Sequence, residues 1–352
     1  MNKKIIGIDH KPGSFSDRWI FFLKKYGVDY EIINPIDTNF FKNIEYYAGV
    51  MFHIDHHDYL DFFYKKDLIY QIDHYSSCEV FPKYKDLFFF NNKILQKNFF
   101  EKNGILTPET FISFSKTESL NWLNKAKFPK VFKLKCGASG NNISLVNNFK
   151  EAKKKIDRAF SGGFDNLNYR AVIKDINLNK KRNFFEKIIL NFLYYMYHFG
   201  ILKSKVNTFF PKERNYVIFQ NYINSKYDLR IIKMGKKIIC VKRLVRKDDF
   251  RASGSNIKVY NIKEINFEVI KIANKISKIL DTECMAYDFV IEDDKFYILE
   301  MSNGFVTGNF YEDCEGYFDD ELKWNEEKIY PEKIILETFL KRTNIELFDE
   351  KF

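Results

Sequence analysis

Three separated groups of residues in this chain have the types and spacing needed to bind a charged ligand. The first is Lys133 with the loop Gly137 to Asn142, the second is the segment Gln220 to Arg230 followed by Arg243, and the third is the acidic pair Asp288 and Glu300. A lysine beside a loop of small residues suits phosphate oxygens. Two neighbouring carboxylates suit a hard metal ion.

The first group predicts a phosphate-binding hairpin. Alternation in the strand 130–135 places Phe132 and Leu134 on one face, and Val131, Lys133 and Lys135 on the other. The loop that follows has Gly137, Ser139 and Gly140, whose small size allows backbone N–H groups to approach an anion closely. It joins two strands and lacks the Walker pattern, so it is not a P-loop. The alternative is a plain hairpin beside solvated lysines.

The acidic pair predicts a metal site. If the chain turns through 293–295, Asp288 lies directly opposite Glu300, with Cβ atoms about 5 Å apart. Two such carboxylates repel each other unless one is protonated or a cation lies between them. With no Cys or His nearby, the expected ion is Mg²⁺ or Mn²⁺. The same alternation predicts that Val290 and Ile298 share the face of the two acids, and the alternative is an exposed hairpin with unrelated acids.

The elements that must position these residues follow from hydrophobic periodicity. A strand, helix, strand alternation predicts a parallel α/β unit over residues 1–90. Glycine and proline signals near Gly104 and Pro108 indicate a second unit, 91–222, with a basic and aromatic insertion at 161–214. A third unit, 223–340, has hairpins and a helix over 267–280.

Composition sets the class of partner. The chain has 352 residues and a formal net charge of +10, which favours nucleotides, sugar phosphates, nucleic acid or an anionic membrane face without choosing among them. Five cysteines without a CxxC pair are expected to be reduced residues of a cytosolic protein. The N-terminus turns polar after a few residues, so a cytoplasmic location is expected, with possible peripheral contact at the inner membrane face.

A family resemblance rests on several short matches that occur in a fixed order. The chain resembles the ATP-grasp superfamily over roughly residues 91–305, and most of all the branch of ribosomal S6 modification ligases. This resemblance implies an ATP-grasp fold of α/β type with an N-terminal α/β domain before it. The matching stretches are Asn92-Lys93, 104–108, 128–133, 220–223, Asp228-Leu229-Arg230, Arg243 and 288–303.

The resemblance also implies roles for individual residues. Lys93 and Lys133 would contact the ATP phosphates, with the loop 137–142 covering them, and Asp228 would reach the ribose. The adenine edge would be held by Gln220, Asn221, Tyr222 and Ile223. The cations Arg230, Arg243 and Arg251 would bind the γ-phosphate, an acyl phosphate or the substrate anion. Magnesium would be bound by Asp288 and Glu300, with Ser302 or Asn303 as a third donor.

Two positions depart from the pattern of the superfamily. The last strand usually ends in Glu, any residue, Asn, whereas this chain has Glu300-Met301-Ser302 with Asn303 one place later. Leu134 stands where proline commonly follows the strand lysine. The first departure concerns the metal and the second leaves the local charge intact.

The activity implied by the resemblance is ATP-dependent joining of a carboxylate to an amine through an acyl phosphate. The carboxylate would be a sugar acid or amino acid in surface polysaccharide or small-peptide synthesis. The alternatives are a small-molecule kinase that uses the same cleft, and a non-catalytic ATP- or nucleic-acid-binding protein. Nucleic acid is not the expected partner, because no RNA-binding aromatic signature occurs.

Two further segments need an interpretation. His53, His56, His57 and Asp58 lie close together, but their spacing fits no standard zinc pattern, so no metal is assigned there. The segment 184–202 is almost entirely apolar and is bracketed by basic residues. A packed helical insertion is the default interpretation, and an interfacial helix on an anionic membrane is the alternative.

Overall fold

A computed structural model describes residues 5–54, 61–137, 142–164, 185, 188, 189, 192, 212–245, 250, 251, 257–305 and 311–345. Within these ranges the labelled helices are α1 Phe15–Lys25, α2 Lys66–Tyr75, α3 Tyr84–Phe88, α4 Lys93–Lys102, α5 Lys116–Leu123, α6 Phe149–Ala159, α7 Phe267–Leu280 and α8 Pro331–Arg342. The strands are β1 Ile5–Ile8, β2 Tyr30–Ile32, β3 Tyr47–Met51, β4 Glu79–Phe81, β5 Thr110–Ser113, β6 Lys130–Lys133, β7 Ile143–Val146, β8 Val217–Asn221, β9 Tyr227–Met234, β10 Lys237–Leu244, β11 Lys258–Val259, β12 Cys284–Glu292, β13 Lys295–Ser302, β14 Tyr317–Phe318 and β15 Trp324–Asn325.

The N-terminal sheet is parallel, with strand order β2-β1-β3-β4. Its strands are short and nearly all apolar, as parallel strands covered on both faces tend to be. The first helix α1 is capped by Ser14, whose side chain accepts a hydrogen bond from the N–H of Ser16. The strands of this part of the chain therefore pair in parallel, as the sequence predicts, while the limit of the unit at residue 90 stays a prediction.

The second sheet is small and antiparallel, with strand order β5-β8-β6-β7. Strands β6 and β7 form the predicted hairpin around the glycine loop, pairing Lys133 with Ile143. On one face, Phe132 and Leu134 pack with Ala152 and Ile156 of α6. Lys133, next to Phe132 in an alternating strand, is directed to the opposite face.

The large sheet has the order β13-β12-β9-β10-β14-β15, with β11 paired to β10. Leu229 and Ile231 of β9 and Tyr287 of β12 lie in a core with Val269 and Ile270 of α7. The predicted helix over 267–280 is found with the same limits.

The opposite face of the large sheet changes character along β9. Ile232 and Met234 lie in a core shared with Trp19 of α1 and Phe339 of α8. Asp228, on the same face by alternation, lies toward the other end of the strand. Because α1 and α8 pack over the apolar end of this face, charged side chains can occupy only the part beyond them.

The segment 222–226 connects the two antiparallel sheets, because β8 belongs to the small sheet and β9 to the large one. The chain therefore crosses between the sheets at the point where the sequence predicts an adenine-binding hinge. The insertion 161–214 leaves the small sheet at Phe164, which forms an antiparallel bridge with Glu213. Most of the insertion lies outside the described residues.

One predicted face assignment in the β12–β13 hairpin is wrong. Asp288 pairs with Glu300 as expected, but the register shifts between Asp288 and Phe289, so that Phe289 pairs with Ile298. The extra residue is Leu299, and Ile298 consequently joins Phe289 in the core against α7. The predicted face is therefore right for Glu300 and wrong for Ile298.

Candidate active site

Five charged side chains share one face of the large sheet, which we call the charged face. Asp288 on β12 lies opposite Glu300 on β13 and opposite Arg230 on β9. Two residues away along β9, Asp228 lies opposite Arg243 on β10. Because alternate residues of a strand point to the same side, all five side chains project toward one side of the sheet.

Asp288 is held by two arginines. Its Oδ1 accepts a hydrogen bond from Arg230 Nε at 2.7 Å and lies 3.0 Å from Arg243 Nη2, while its Oδ2 accepts from Arg230 Nη2 at 2.7 Å. Burial alone would raise the pKa of Asp288, but the two guanidinium groups outweigh it and hold this pKa below its usual range. Asp288 is therefore an ionised carboxylate at neutral pH.

Asp228 is bound to Arg243 in the same bidentate manner. Arg243 Nε donates to Asp228 Oδ1 at 2.6 Å and Arg243 Nη2 donates to Oδ2 at 2.7 Å. Each residue is only 4% exposed. A contact between Asp228 and a ribose, which the sequence predicts, would require this carboxylate to give up one of these bonds.

Two lysines face the charged face from outside the large sheet. Lys93 Nζ, at the start of α4, lies 3.5 Å from Glu300 Oε1. Lys133 on β6 is buried, and burial together with the nearby Lys93 lowers the pKa of Lys133 to about 8, against an opposing effect of Glu300. Residues from two different sheets therefore meet at Glu300.

The base of the glycine loop is fixed by the residues that precede α4. Gly137 N–H donates to Asn91 Oδ1 at 2.5 Å, and Lys93 Nζ donates to Gly137 O at 2.8 Å. Gly137 has φ +128°, which favours glycine. Ser139 and Gly140, predicted to cover the phosphates, lie outside the described residues.

The predicted adenine edge begins at the end of β8. Gln220 is buried and its Nε2 donates to Thr110 Oγ1 at 2.9 Å. Asn221 accepts a hydrogen bond from Lys130 Nζ and donates to Glu109 Oε2 at 3.1 Å. The side chains of Gln220 and Asn221 are therefore hydrogen-bonded within the small sheet. The backbone of 222–226, which follows them, runs between the two sheets.

Tyr222 and Ile223 lie in the segment 222–226 that crosses between the sheets. The Tyr222 ring meets the Phe250 ring edge-on, with centroids 6.3 Å apart. The next residue is Arg251, so the structure places this predicted anion ligand beside the hinge.

Comparisons with known proteins bear on the fold of this chain. Residues 202–314 match the family model of the RimK-like ATP-grasp domain. Among solved structures, the RimK domain protein ATP-grasp from Sphaerobacter thermophilus DSM 20745 is 11% identical, with TM-score 0.50 over 85% of this chain and 90% of that chain. The D-alanine–D-alanine ligase from Bacillus anthracis is 14% identical, with TM-score 0.53 over 97% of each chain.

A third similar structure is the carboxyaminoimidazole ribonucleotide synthase from Aspergillus clavatus complexed with ATP. It is 12% identical, with TM-score 0.56 over 96% of this chain and 77% of that chain. The chain has an ATP-grasp fold. The resemblance to this superfamily inferred from the sequence is confirmed, although no curated protein matches the chain significantly.

The metal donors expected of an ATP-grasp site are only partly assembled. Glu300 is half-buried beside Lys93, and both oxygens of Asp288 are already bound to arginine. Ser302 Oγ donates to Gly304 O at 2.8 Å, which engages the predicted third donor in a turn. Within the described ranges, no group of three or more His, Cys, Asp or Glu side chains is arranged to hold a metal ion.

The two carboxylates nevertheless have the chemistry that magnesium requires. Asp288 is ionised, and a carboxylate has more lone pairs than its three bonds to arginine use. Glu300 has one ion pair at 3.5 Å, so it can exchange that partner for a metal. We infer that Glu300 would be the principal ligand and Asp288 a shared one. The other alternative for the third donor, Asn303, is 8% exposed and lines a separate cavity.

That cavity lies where the N-terminal sheet meets the end of β13. It has a volume of about 10 Å³, enough for one water molecule. The His53 ring stacks on Phe15 with centroids 4.5 Å apart. His56, His57 and Asp58 lie outside the described residues. The lining consists of Phe15, Phe52, His53, Ile54, Phe81, Pro82, Asn303 and Gly304.

An ionic cluster lies at the carboxyl end of β1 in the N-terminal domain. Lys65 Nζ lies 2.5 Å from Asp9 Oδ2 and 2.8 Å from Asp61 Oδ1. Strand β1 pairs with β2 on one side and β3 on the other, so this end is a topological switch point of the sheet. Open parallel sheets bind ligands at such points.

Two residues with a clear part in the site were missed by sequence reasoning. Asn91 anchors Gly137, and Tyr311 interacts with Arg230 from the far end of the chain. Asn91 stands two places before Lys93, which is a weak signal. The sequence around Tyr311 contains no pattern that predicts its contact with Arg230 of β9.

Proposed function

We propose that the protein is an ATP-dependent carboxylate–amine ligase that works through an acyl phosphate. The observation that supports this most is the meeting of Lys93 and Lys133 with Glu300 between the two antiparallel sheets. Triphosphate and metal must be held together there, because phosphoryl transfer depends on charge neutralisation more than on a protein nucleophile.

The phosphate end of ATP would lie between the lysines and the charged face. Lys133 supplies a buried cation, and Gly137, with φ +128° and no side chain, would allow an oxyanion to approach the loop backbone closely. Mg²⁺ held by Glu300 and Asp288 would neutralise developing charge on the transferring phosphoryl group. The adenine would lie at the hinge 222–226.

The arginines are suited to the carboxylate substrate and its acyl phosphate. Arg230 and Arg243 each hold an aspartate in bidentate geometry at 2.6–2.7 Å, which is the geometry a substrate carboxylate or phosphate would use. Such a substrate would compete with Asp228 and Asp288 for the same donors. Arg251 would reach the ligand from beside the hinge.

We propose a sugar acid or an amino acid as the carboxylate, in surface polysaccharide or small-peptide synthesis. The switch point beside Asp9 and Lys65 supports binding of a small polar molecule at the N-terminal sheet. The chain of ring contacts Phe15–Phe305 at 5.0 Å and Phe305–Tyr311 at 5.6 Å leads from this region toward Arg230. We therefore propose that the carboxylate binds beside the phosphate site.

The test is ATP turnover with pooled carboxylates and amines, with hydroxylamine present to trap an acyl phosphate as a hydroxamate. Without hydroxylamine, a ligase releases ADP and phosphate only when both substrate classes are present, whereas with hydroxylamine the carboxylate alone should give ADP, phosphate and the hydroxamate. ADP with a stable phosphorylated product would indicate the kinase alternative. Nucleotide binding without turnover against any pool would indicate the non-catalytic alternative.

Lys133→Ala and Glu300→Gln should each lower turnover about 100-fold, because the first removes a cation beside the transferring phosphoryl group and the second weakens the site proposed for Mg²⁺. The matched controls are Lys127→Ala and Asp294→Asn, exposed positions before β6 and in the β12–β13 turn. Unchanged turnover in both site variants would contradict the site assignment.

A further inference from the structure

We propose that Tyr216 and Glu213 are positioning residues for the ATP phosphate site, and that they make nucleotide binding depend on the base of the insertion 161–214. Tyr216 OH accepts a hydrogen bond from Lys135 N at 2.7 Å and donates one to Glu213 Oε2 at 2.6 Å. Neither residue is among the site residues predicted from the sequence. Their role rests on the proposed function, because the glycine loop beside them would bind the phosphates.

Lys135 lies in the short stretch between the end of β6 and the glycine loop. Backbone pairing of β6 with β8 ends at Lys133 and Ile218, so Lys135 lies beyond the paired part of the strand. A backbone N–H group that is shielded from water needs an acceptor. The hydroxyl of Tyr216, the residue before β8, supplies that acceptor at the point where the strand ends.

The same stretch is also held by the start of α4. Lys93 N donates to Lys135 O at 3.1 Å, and Lys93 Nζ donates to Gly137 O at 2.8 Å. Tyr216 adds a contact from the start of β8, and the other end of β8 leads into the predicted adenine hinge 222–226. Tyr216 therefore holds the base of the glycine loop against the strand that ends at this hinge.

The Tyr216 hydroxyl is oriented by Glu213. The two residues are 7% and 9% exposed, respectively. Burial and the neighbouring Glu213 carboxylate raise the pKa of Tyr216, so the hydroxyl keeps the proton that it donates to Glu213. With its proton committed to Glu213, the hydroxyl has its lone pairs available for the Lys135 N–H.

Glu213 is itself held at the base of the insertion. Phe164 and Glu213 exchange two backbone hydrogen bonds, each 2.9 Å long. At the end of α6, Arg158 Nε donates to Gly163 O at 2.9 Å, and its guanidinium carbon lies 4.6 Å from the centre of the Phe164 ring. A displacement of either end of the insertion would therefore move the carboxylate that orients Tyr216.

The base formed by Phe164 and Glu213 is the part of the insertion that the structure connects to the phosphate site. Apart from four positions, the apolar segment 184–202 lies outside the described residues, so a membrane-surface helix there stays a prediction. None of the helices in the described ranges is both long enough and apolar enough to cross a bilayer.

The experiment compares full-length wild type with Tyr216→Phe, which removes the hydroxyl and keeps the ring. Because the Lys135 N–H loses this acceptor, amide hydrogen exchange of the ligand-free protein should be about fivefold faster at 135–137. Mass spectrometry measures this rate. MgATP should bind about fivefold more weakly, as expected for the loss of one hydrogen bond that holds the loop. Isothermal titration calorimetry measures the affinity.

Two substitutions of Glu213 separate orientation of the hydroxyl from a general loss of stability. Glu213→Ala removes the acceptor of the Tyr216 proton and should weaken MgATP binding about threefold. Glu213→Gln keeps an amide oxygen that can accept this proton, so its affinity should stay within about twofold of wild type. Circular dichroism reports the folding of each variant, and Glu213→Ala carries the test if Tyr216→Phe fails to fold.

Tyr26→Phe is the matched control. Tyr26 OH donates to Glu337 Oε1 at 2.6 Å, and Tyr26 is 5% exposed. This variant therefore loses an equally short hydroxyl–carboxylate bond, between the end of α1 and α8. It should keep the wild-type rate of exchange at 135–137 and the wild-type affinity for MgATP.

Three results would overturn the positioning role while leaving the ligase proposal intact. Wild type and Tyr216→Phe could bind MgATP equally well, or Tyr26→Phe could weaken binding as much as Tyr216→Phe does. Glu213→Gln could also bind as weakly as Glu213→Ala, which would exclude orientation through this hydrogen bond. If wild type did not bind MgATP at all, the proposed function would fail, and the positioning role with it.

Discussion

The charges of the site are unevenly shared between its two sides. Arg230 and Arg243 are each bound to an aspartate, whereas among the described residues Glu300 is the carboxylate that interacts with both lysines. The excess positive charge therefore lies on the side of Lys93 and Lys133. This is the side on which a triphosphate gains most from electrostatic attraction.

Lys133 should make nucleotide affinity depend on pH. Its pKa is lowered to about 8, so the protonated form, which attracts phosphate, is lost as pH rises through that value. MgATP affinity of wild type should fall between pH 7 and pH 9.5, and binding at pH 9 should take up protons. Isothermal titration calorimetry in buffers of different ionisation enthalpy measures both quantities.

Lys133→Arg provides the comparison, because a guanidinium group stays charged throughout this range. Its affinity at pH 7 is expected to be lower, since the larger group must fit a buried position, but its pH profile should be flat. A profile in Lys133→Arg as steep as that of wild type would assign the pH dependence to another group.

The sequence predicts about half of this residue-level arrangement. Alternation and hairpin closure predict that Asp288 faces Glu300, since both requirements are local. The bond from Asp288 to Arg230 joins residues 58 positions apart, and it depends on β9 entering the sheet beside β12. No local sequence pattern predicts that strand pairing. The sequence therefore predicts a cation between Asp288 and Glu300, but not that Arg230 and Arg243 both bind Asp288.

At the level of elements, the glycine hairpin depends on a contact with the segment before α4. Asn91 and Lys93 bind the N–H and the carbonyl of Gly137, and the Lys93 N–H donates to Lys135 O at 3.1 Å. Asn91 itself has φ +54°, a left-handed conformation that asparagine tolerates. Three hydrogen bonds therefore fix the point where the strand ends and the loop begins.

Removing the Asn91 oxygen should weaken ATP binding with little effect on chemistry. Asn91→Gly deletes the acceptor of the Gly137 N–H while accepting the positive φ, so the KM for ATP should rise about fivefold, as expected for one hydrogen bond. The kcat should change less than twofold, roughly, since the reacting groups are untouched. Steady-state kinetics at varied ATP concentration measures both constants.

The matched control is Asn344→Gly, which changes an exposed asparagine with φ +52° after α8. It carries the same backbone effect far from Gly137 in sequence and should leave the KM unchanged. A fall in kcat with constant KM in Asn91→Gly would show that Asn91 does not act through nucleotide binding.

Element limits were predictable where the pattern was strong and local. Helix α7 has an Asn266 cap, apolar residues at helical spacing and Asp281 in the left-handed conformation after its last turn, so both of its ends are encoded locally. The bulge at Leu299 is different. A period of two continues through it unchanged in the sequence, and only packing of Ile298 against α7 selects the shifted register.

At the level of the whole molecule, the N-terminal domain and the ATP-grasp unit share a core and several polar contacts. Arg342 of α8 donates to Val80 O at 2.9 Å and pairs with Glu283 at 2.7 Å. Asp86 of α3 is hydrogen-bonded to Thr282 and to the Glu283 backbone, at the start of β12. The predicted boundaries near residues 90 and 222 stay predictions, and the contacts across the first of them are extensive.

Asp86 should impose a pH dependence on stability. Burial raises its pKa to about 7, so the folded state keeps a proton that the unfolded state releases near pH 4, and stability should fall as pH rises from about 4 to about 7. Asp86→Asn removes this titration. The free energy of unfolding of the variant, relative to that of wild type, should be roughly 3 kcal/mol more favourable to the folded state at pH 8 than at pH 4.

Urea unfolding at several pH values measures this difference, with Asp67→Asn as a control at an exposed aspartate of α2. The control should show the same pH dependence as wild type. An equal offset between wild type and Asp86→Asn at pH 4 and pH 8 would mean that Asp86 is ionised in the folded protein across this range.

The single strand β9 carries both Arg230, among the charged side chains, and Ile232, two residues later in the core with Trp19 and Phe339. Two residues of an extended strand span only about 7 Å. The position of the Arg230 guanidinium group therefore depends on backbone that also packs against Trp19 of α1 and Phe339 of α8. Selection for tighter packing at the apolar end of this face and selection for a new substrate at its charged end therefore act on the same few ångströms of backbone.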